Sequence, residues 1–137
     1  MTKKAIRTLA IALIVTLLLG SVSFAAQESS TYISSTSAYF IRSGNDVNLY
    51  FTIVGRGIMN EIGVSEIYLY EKTGNTWHLA FVFNSSDSDY TSAMLSYNTS
   101  AKSSHVTYSG SAYKDYYAIL LFYAADAYGS DTIPFVT

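Results

Sequence analysis

The chain has 137 residues, with 8 lysines and arginines against 10 acids, two histidines, 13 tyrosines and no cysteine. Its few, scattered cations form no stripe able to neutralise a phosphate backbone, which argues against nucleic acid as a partner and equally against anionic membrane surfaces. Without cysteine, stability must come from core packing and not from disulfides.

The opening stretch, MTKKAIRTLAIALIVTLLLGSVSFAAQ, sets Lys3, Lys4 and Arg7 ahead of an apolar run from Leu9 to Leu19, followed by Gly20 and small residues. That is the order of a cleavable secretory signal, whose cationic end stays at the cytoplasmic face while the apolar part enters the translocon. The run falls short of the roughly 20 residues that span a bilayer. Ser23 and Ala25 suit a signal peptidase site, so cleavage is expected after Ala25 or Ala26. Residues 1–25 are therefore read as signal peptide and 26–137 as one domain; 137 less 25 leaves 112 residues, enough to bury a core. Three cations leave with the signal, so five remain against ten acids, a net charge of −5. No cysteine follows the apolar run, and DTIPFVT carries neither an apolar tail nor a basic stop. The mature chain is expected to be secreted and free of any membrane. The signal style and the missing cysteines lean towards a Gram-positive bacterial source.

Past the signal the pattern is β throughout. TYISSTSAYFIR, from Thr31 to Arg42, reads as an edge strand. NDVNLYFTIVGRG follows in strict period-two alternation, with Val47, Leu49, Phe51 and Ile53 on one face. GRGIMNEIG breaks that alternation with Gly55, Gly57 and Gly63, and is expected to be a connection folded over an open end of the domain, burying Ile58, Met59 and Ile62. SEIYLYEK resumes with Ile67 and Leu69 opposed to Tyr68 and Tyr70, and TGNT turns the chain into WHLAFVF, where Trp77, Leu79, Phe81 and Phe83 are expected on one face. NSSDSDYTS reads as a polar loop, and AMLSYNTS and SHVTYSG as two weaker strands with a Ser-rich link. YYAILLFYAA is apolar on both faces and should be a central strand; DAYGS turns it, and DTIPFVT closes the sheet with Pro134 at an edge. About seven short strands with no helical period predict an all-β fold, a single antiparallel β-sandwich.

The last third, HVTYSGSAYKDYYAILLFYAADAYGSD, resembles the end of a fibronectin type III or other immunoglobulin-like domain. The resemblance lies in a strand, a tyrosine-bearing corner, a long central strand ending Ala-x-Asp, and a Gly-Ser hairpin. It implies that Tyr116 or Tyr113 is the corner tyrosine, bonding back to the main chain. The middle, GIMNEIGVSEIYLYEKTGNTWHLAF, resembles small secreted proteins of Gram-positive bacteria, and that likeness implies no mechanism.

Catalytic chemistry finds little support. His78 and His105 lie outside any metal-ligand spacing, and the chain has no Gly-x-Ser-x-Gly, no Ser-x-x-Lys and no thiol. Glu61, Glu66 and Glu71 surround one strand with nothing to make two of them converge across a groove. Calcium is the one conceivable cofactor, through Asn84, Asp87 and Asp89 in one loop and Asp126 and Asp131 beside another, against ordinary turn capping by the same residues. Asn84 and Asn98 open glycosylation sequons that a bacterial source would leave bare.

The aromatic excess is the feature open to function. Tyr68 and Tyr70 share a face, and Trp77 enters from the neighbouring hairpin strand. Such rings either anchor a protein interface, stack on sugars, or pair across strands to stiffen the sheet. Tyr128, in the last hairpin, is a further contact candidate. The expected function is a non-catalytic secreted interaction or structural module, with an extracellular protein or glycan as partner. The alternatives are a carbohydrate-binding module acting through Tyr68, Tyr70 and Trp77, and, more remotely, a small secreted hydrolase.

Overall fold

A computed structural model describes residues 30–137; the expected signal peptide and cleavage site fall outside the described residues. In chain order the elements are β1 (Ile33–Ser43), β2 (Asp46–Thr73), β3 (Thr76–Asn84), a one-turn helix α1 (Thr91–Met94), β4 (Leu95–Ser109), β5 (Tyr116–Ala125) and β6 (Ser130–Val136). The fold is all-β, and every strand pairing is antiparallel.

One strand organises the rest. The first part of β2 lies between β1 and β4, while its second part lies between β3 and β5, and β6 pairs the far side of β5. Around Glu61 to Gly63, β2 pairs β4 and β5 at once, so the sheet is continuous through this bend. GRGIMNEIG is therefore strand and not a connection over an open end. The ladder supplies the reason: β4 resumes pairing at Met59 after a register break at Val54, and Arg56 N–H finds Tyr32 C=O at 2.8 Å, so the backbone groups stay satisfied as the strand turns. Met59 and Ile62 are buried as expected, whereas Ile58 is 74% exposed on the outside of the bend.

Two further expectations are corrected. The Ser-rich link does not interrupt β4, which runs unbroken for 15 residues because β2 offers it a partner almost throughout; Asn98, at φ 54, marks the one local irregularity. Nor do Trp77, Leu79, Phe81 and Phe83 share a face. Leu69 pairs Phe81 while Tyr70 pairs Leu79, so Ala80 is an extra residue that inverts the alternation. Phe81 and Phe83 turn inward, and Trp77 and Leu79 turn out. The loop after β3 ends in α1, whose Met94 is fully buried.

Both two-residue hairpins, Gly44-Asn45 and Gly74-Asn75, place glycine first with positive φ (57° and 63°), the backbone state that suits such turns to twisted strands. The core gathers Leu49, Phe51 and Ile53 from the first part of β2 with Ile67 and Leu69 from its second part, and with Leu120 and Phe122 from β5. Phe51 meets Phe122 edge to face at 6.5 Å, so the two parts of the bent sheet pack on each other. Pro134 sits on β6, which has no strand beyond it.

Candidate functional site

With the core enclosed between its two parts, the sheet has two outer faces of different chemistry. Along the four-stranded part, the outward positions of β2 are Glu66, Tyr68, Tyr70 and Lys72, and those of β5 are Tyr117, Ile119, Leu121 and Tyr123. Register places Leu79 beside Tyr70, Val82 beside Tyr68, and Val136 and Pro134 beside Ile119 and Leu121. An antiparallel sheet normally turns polar residues outward; the middle of this face is apolar and aromatic across all four strands, with Glu66, Lys72, Asn84 and Thr132 toward its ends.

Its centre is a ring cluster. Tyr70 stacks on Tyr117 at 4.7 Å with planes 6° apart, and Trp77 meets Tyr117 edge to face at 4.8 Å. The Lys72 ammonium lies 5.7 Å from the Trp77 ring. Trp77 and Leu79 remain 41% and 51% exposed, both on β3, which has no strand beyond it. Tyr68 is half-buried and gives its hydroxyl to Glu66, a bond that raises the phenol above its ordinary value, with burial adding to it. Burial and the neighbouring Tyr70 raise Tyr117 in the same direction.

Of the contact candidates read from sequence, Tyr68, Tyr70 and Trp77 thus share one surface. Tyr128 does not join them: it is 94% exposed at the β5–β6 turn, by Ala125, whereas Tyr117 lies at the other end of β5. Asp126 shapes that turn, its Oδ1 accepting from the N–H groups of Tyr128 and Gly129 at 2.7 and 3.1 Å. Sequence reasoning missed Tyr117 and Leu79. Period two along YYAILLFYAA marks Tyr117, but the place of Leu79 depends on the Ala80 bulge, which nothing local announces.

The outer face of the three-stranded part is polar with a ring row across it. Tyr39 stacks on Tyr50 at 5.6 Å and Tyr50 on His105 at 4.7 Å, each pair directly opposed in the ladder. The next row toward the bend holds Ser37, Thr52 and Ser103, with Thr52 Oγ1 and Ser103 Oγ 2.9 Å apart. A groove of about 450 Å³ lies against Tyr39, Tyr50, Thr52, Ser103 and His105.

The remaining polar groups serve the framework. Tyr116 accepts from Ser111 N–H at 2.9 Å and donates to Glu71 at 2.7 Å, and Lys114 reaches the other Glu71 oxygen at 2.9 Å. Tyr116, and not Tyr113, is therefore the tyrosine that bonds back to the main chain. Asn84 and Asp87 accept from backbone N–H groups two residues on, and Asp131 accepts from Ser30 and Thr31. Among the described residues no three His, Cys, Asp or Glu side chains are grouped to hold a metal ion, and no helix is long and apolar enough to cross a membrane. No family model, curated protein or solved structure matches the chain.

Proposed function

We propose that this is a non-catalytic, exported binding module of immunoglobulin-like build, which docks an extracellular protein on the outer face of its four-stranded part. The observation that carries the docking reading is the aromatic and apolar patch of Tyr70, Tyr117, Leu79 and Trp77, with Leu79 and Trp77 left in water at its rim. Large rigid rings beside open aliphatic groups make the low-entropy anchors typical of protein interfaces. A sugar suits this face less, because Leu79, Val82, Leu121 and Val136 make much of it aliphatic and the Tyr68 hydroxyl is engaged by Glu66.

Three features support the immunoglobulin-like sandwich. Counting the two parts of β2 as separate strands makes seven strands, in groups of three and four, with β5 central in the second group. The groups pack core to core through Phe51 and Phe122. Tyr116 bonds to the main chain five residues upstream, as a tyrosine corner does. Export, and a Gram-positive cell as its source, rest on the N-terminal signal pattern and the missing cysteines.

The test is comparative capture. The chain and its Trp77→Ala/Leu79→Asp variant are immobilised and exposed to extracellular proteins of the producing cell, with folding of both checked by circular dichroism. A protein retained by the first and lost by the second is the expected result; identical capture by both removes the docking reading. Turnover of an ester, glycoside or peptide substrate, abolished by a single substitution, would overturn the non-catalytic one.

A further inference from the structure

We propose that the groove beside the Tyr39–Tyr50–His105 row binds a neutral oligosaccharide. It lies on the opposite outer face from the docking surface, so the proposal does not rest on that reading. The groove volume of about 450 Å³ falls within the range of small-molecule sites. No charged side chain lines it, so it has nothing to select a phosphate, a sulfate or a cation.

What the groove does present is a dense set of hydroxyls on a rigid frame. The Thr52 and Ser103 hydroxyls share one hydrogen bond, which leaves the accepting hydroxyl its own proton and both oxygens unused lone-pair capacity. Tyr50 is clamped between Tyr39 and His105, so the ring row is set before any ligand arrives. Tyr39 is 56% exposed and lies on the outer strand β1, and His105 is exposed at the other end of the row. A row of two phenols and an imidazole next to a row of aliphatic hydroxyls complements a ligand rich in uncharged donors and acceptors. A pyranose, with hydroxyls around an apolar C–H ring, has that character.

The test is a chemical-shift titration of the isotope-labelled full-length chain with cellohexaose, chitohexaose and mannohexaose in turn, and with heparin as a charged comparison. At millimolar neutral sugar, shifts are expected in β1, the first part of β2 and β4. Tyr39→Ala and Ser103→Ala, both at surface positions, should each weaken binding about tenfold or more, while Leu79→Asp on the other face should leave it unchanged. The proposal is overturned by silence from all three sugars on folded protein, by shifts on the four-stranded face instead, by binding indifferent to both groove variants, or by preference for heparin.

Discussion

One ring holds the loop between β4 and β5. The Tyr116 hydroxyl joins Ser111 N–H to Glu71, and Arg42 lies over its ring at 4.8 Å while donating to the carbonyls of Ser111 and Lys114. Tyr116→Phe keeps the ring and removes both bonds, one of them to a carboxylate. Urea unfolding should show a loss of about 1 to 3 kcal/mol. The same cluster sets an acid limb: the Lys114 ammonium, and then the Tyr116 hydroxyl, hold the Glu71 carboxyl below its ordinary value. A carboxyl lowered on folding contributes stability that is present above its unfolded value, about 4.3, and lost as the pH falls through the folded one. The urea midpoint should therefore fall on acidification below about pH 4.3, and Glu71→Gln should flatten that fall. At the alkaline end the sign reverses. Burial raises Tyr117, so its contribution is full below the unfolded tyrosine value near 10 and is lost as the pH rises through the folded one. Tyr117→Phe should flatten that limb, read by the same measurement.

Strands in this molecule depend on single positions where the ladder departs from regularity. At Gly63 a Cβ would stand 1.9 Å from the Met94 carbonyl oxygen, with backbone on the other side of the contact and no flexible side chain to yield. Gly63→Ala should cost about 3 kcal/mol or more in thermal or urea unfolding. Gly57, at φ 137 with open space around it, isolates the conformational part, and Gly57→Ala should cost about 1 to 2 kcal/mol. Ala80 is the extra residue that offsets the two halves of β3. Deleting it joins Leu79 to Phe81, which then face opposite sides by ordinary alternation, so Trp77 and Leu79 stay outward and Phe81 and Phe83 stay in the core on a regular ladder. The expected outcome is an unchanged Trp77 emission maximum; a shifted maximum would show that Ala80 does more than offset the two halves of the strand.

For the molecule as a whole, stability is concentrated where the two parts of the bent sheet meet. Phe122 is fully buried against Phe51 and Phe135, and Phe122→Ala should cost about 3 to 5 kcal/mol, measured by urea unfolding. Leu79 and Tyr39 are 51% and 56% exposed on the outer faces, which is why Leu79→Asp and Tyr39→Ala are expected to alter binding and leave the melt nearly unchanged. Much of this arrangement is legible in the chain. Val47, Leu49, Phe51 and Ile53 alternate cleanly and are all buried, YYAILLFYAA is central, and Pro134 lies on an edge strand. The surface was legible in part: Tyr68 and Tyr70 alternate with Ile67 and Leu69 and so face outward, but the neighbours that complete their face come from β3 and β5.

By itself the sequence determined what local chemistry can specify: the all-β class, the hairpin at Gly74-Asn75, and which side chains of each regular strand turn inward, because a period of two and a positive-φ glycine need no distant partner. Only the tertiary structure decided that GRGIMNEIG continues as strand, that the Ser-rich stretch of β4 is not a break, and that Trp77 and Leu79 face outward. Each of these turns on whether a backbone N–H or C=O finds a partner on another strand. Such a partner lies many residues away, so its presence is a property of the assembled sheet and not of the stretch that uses it.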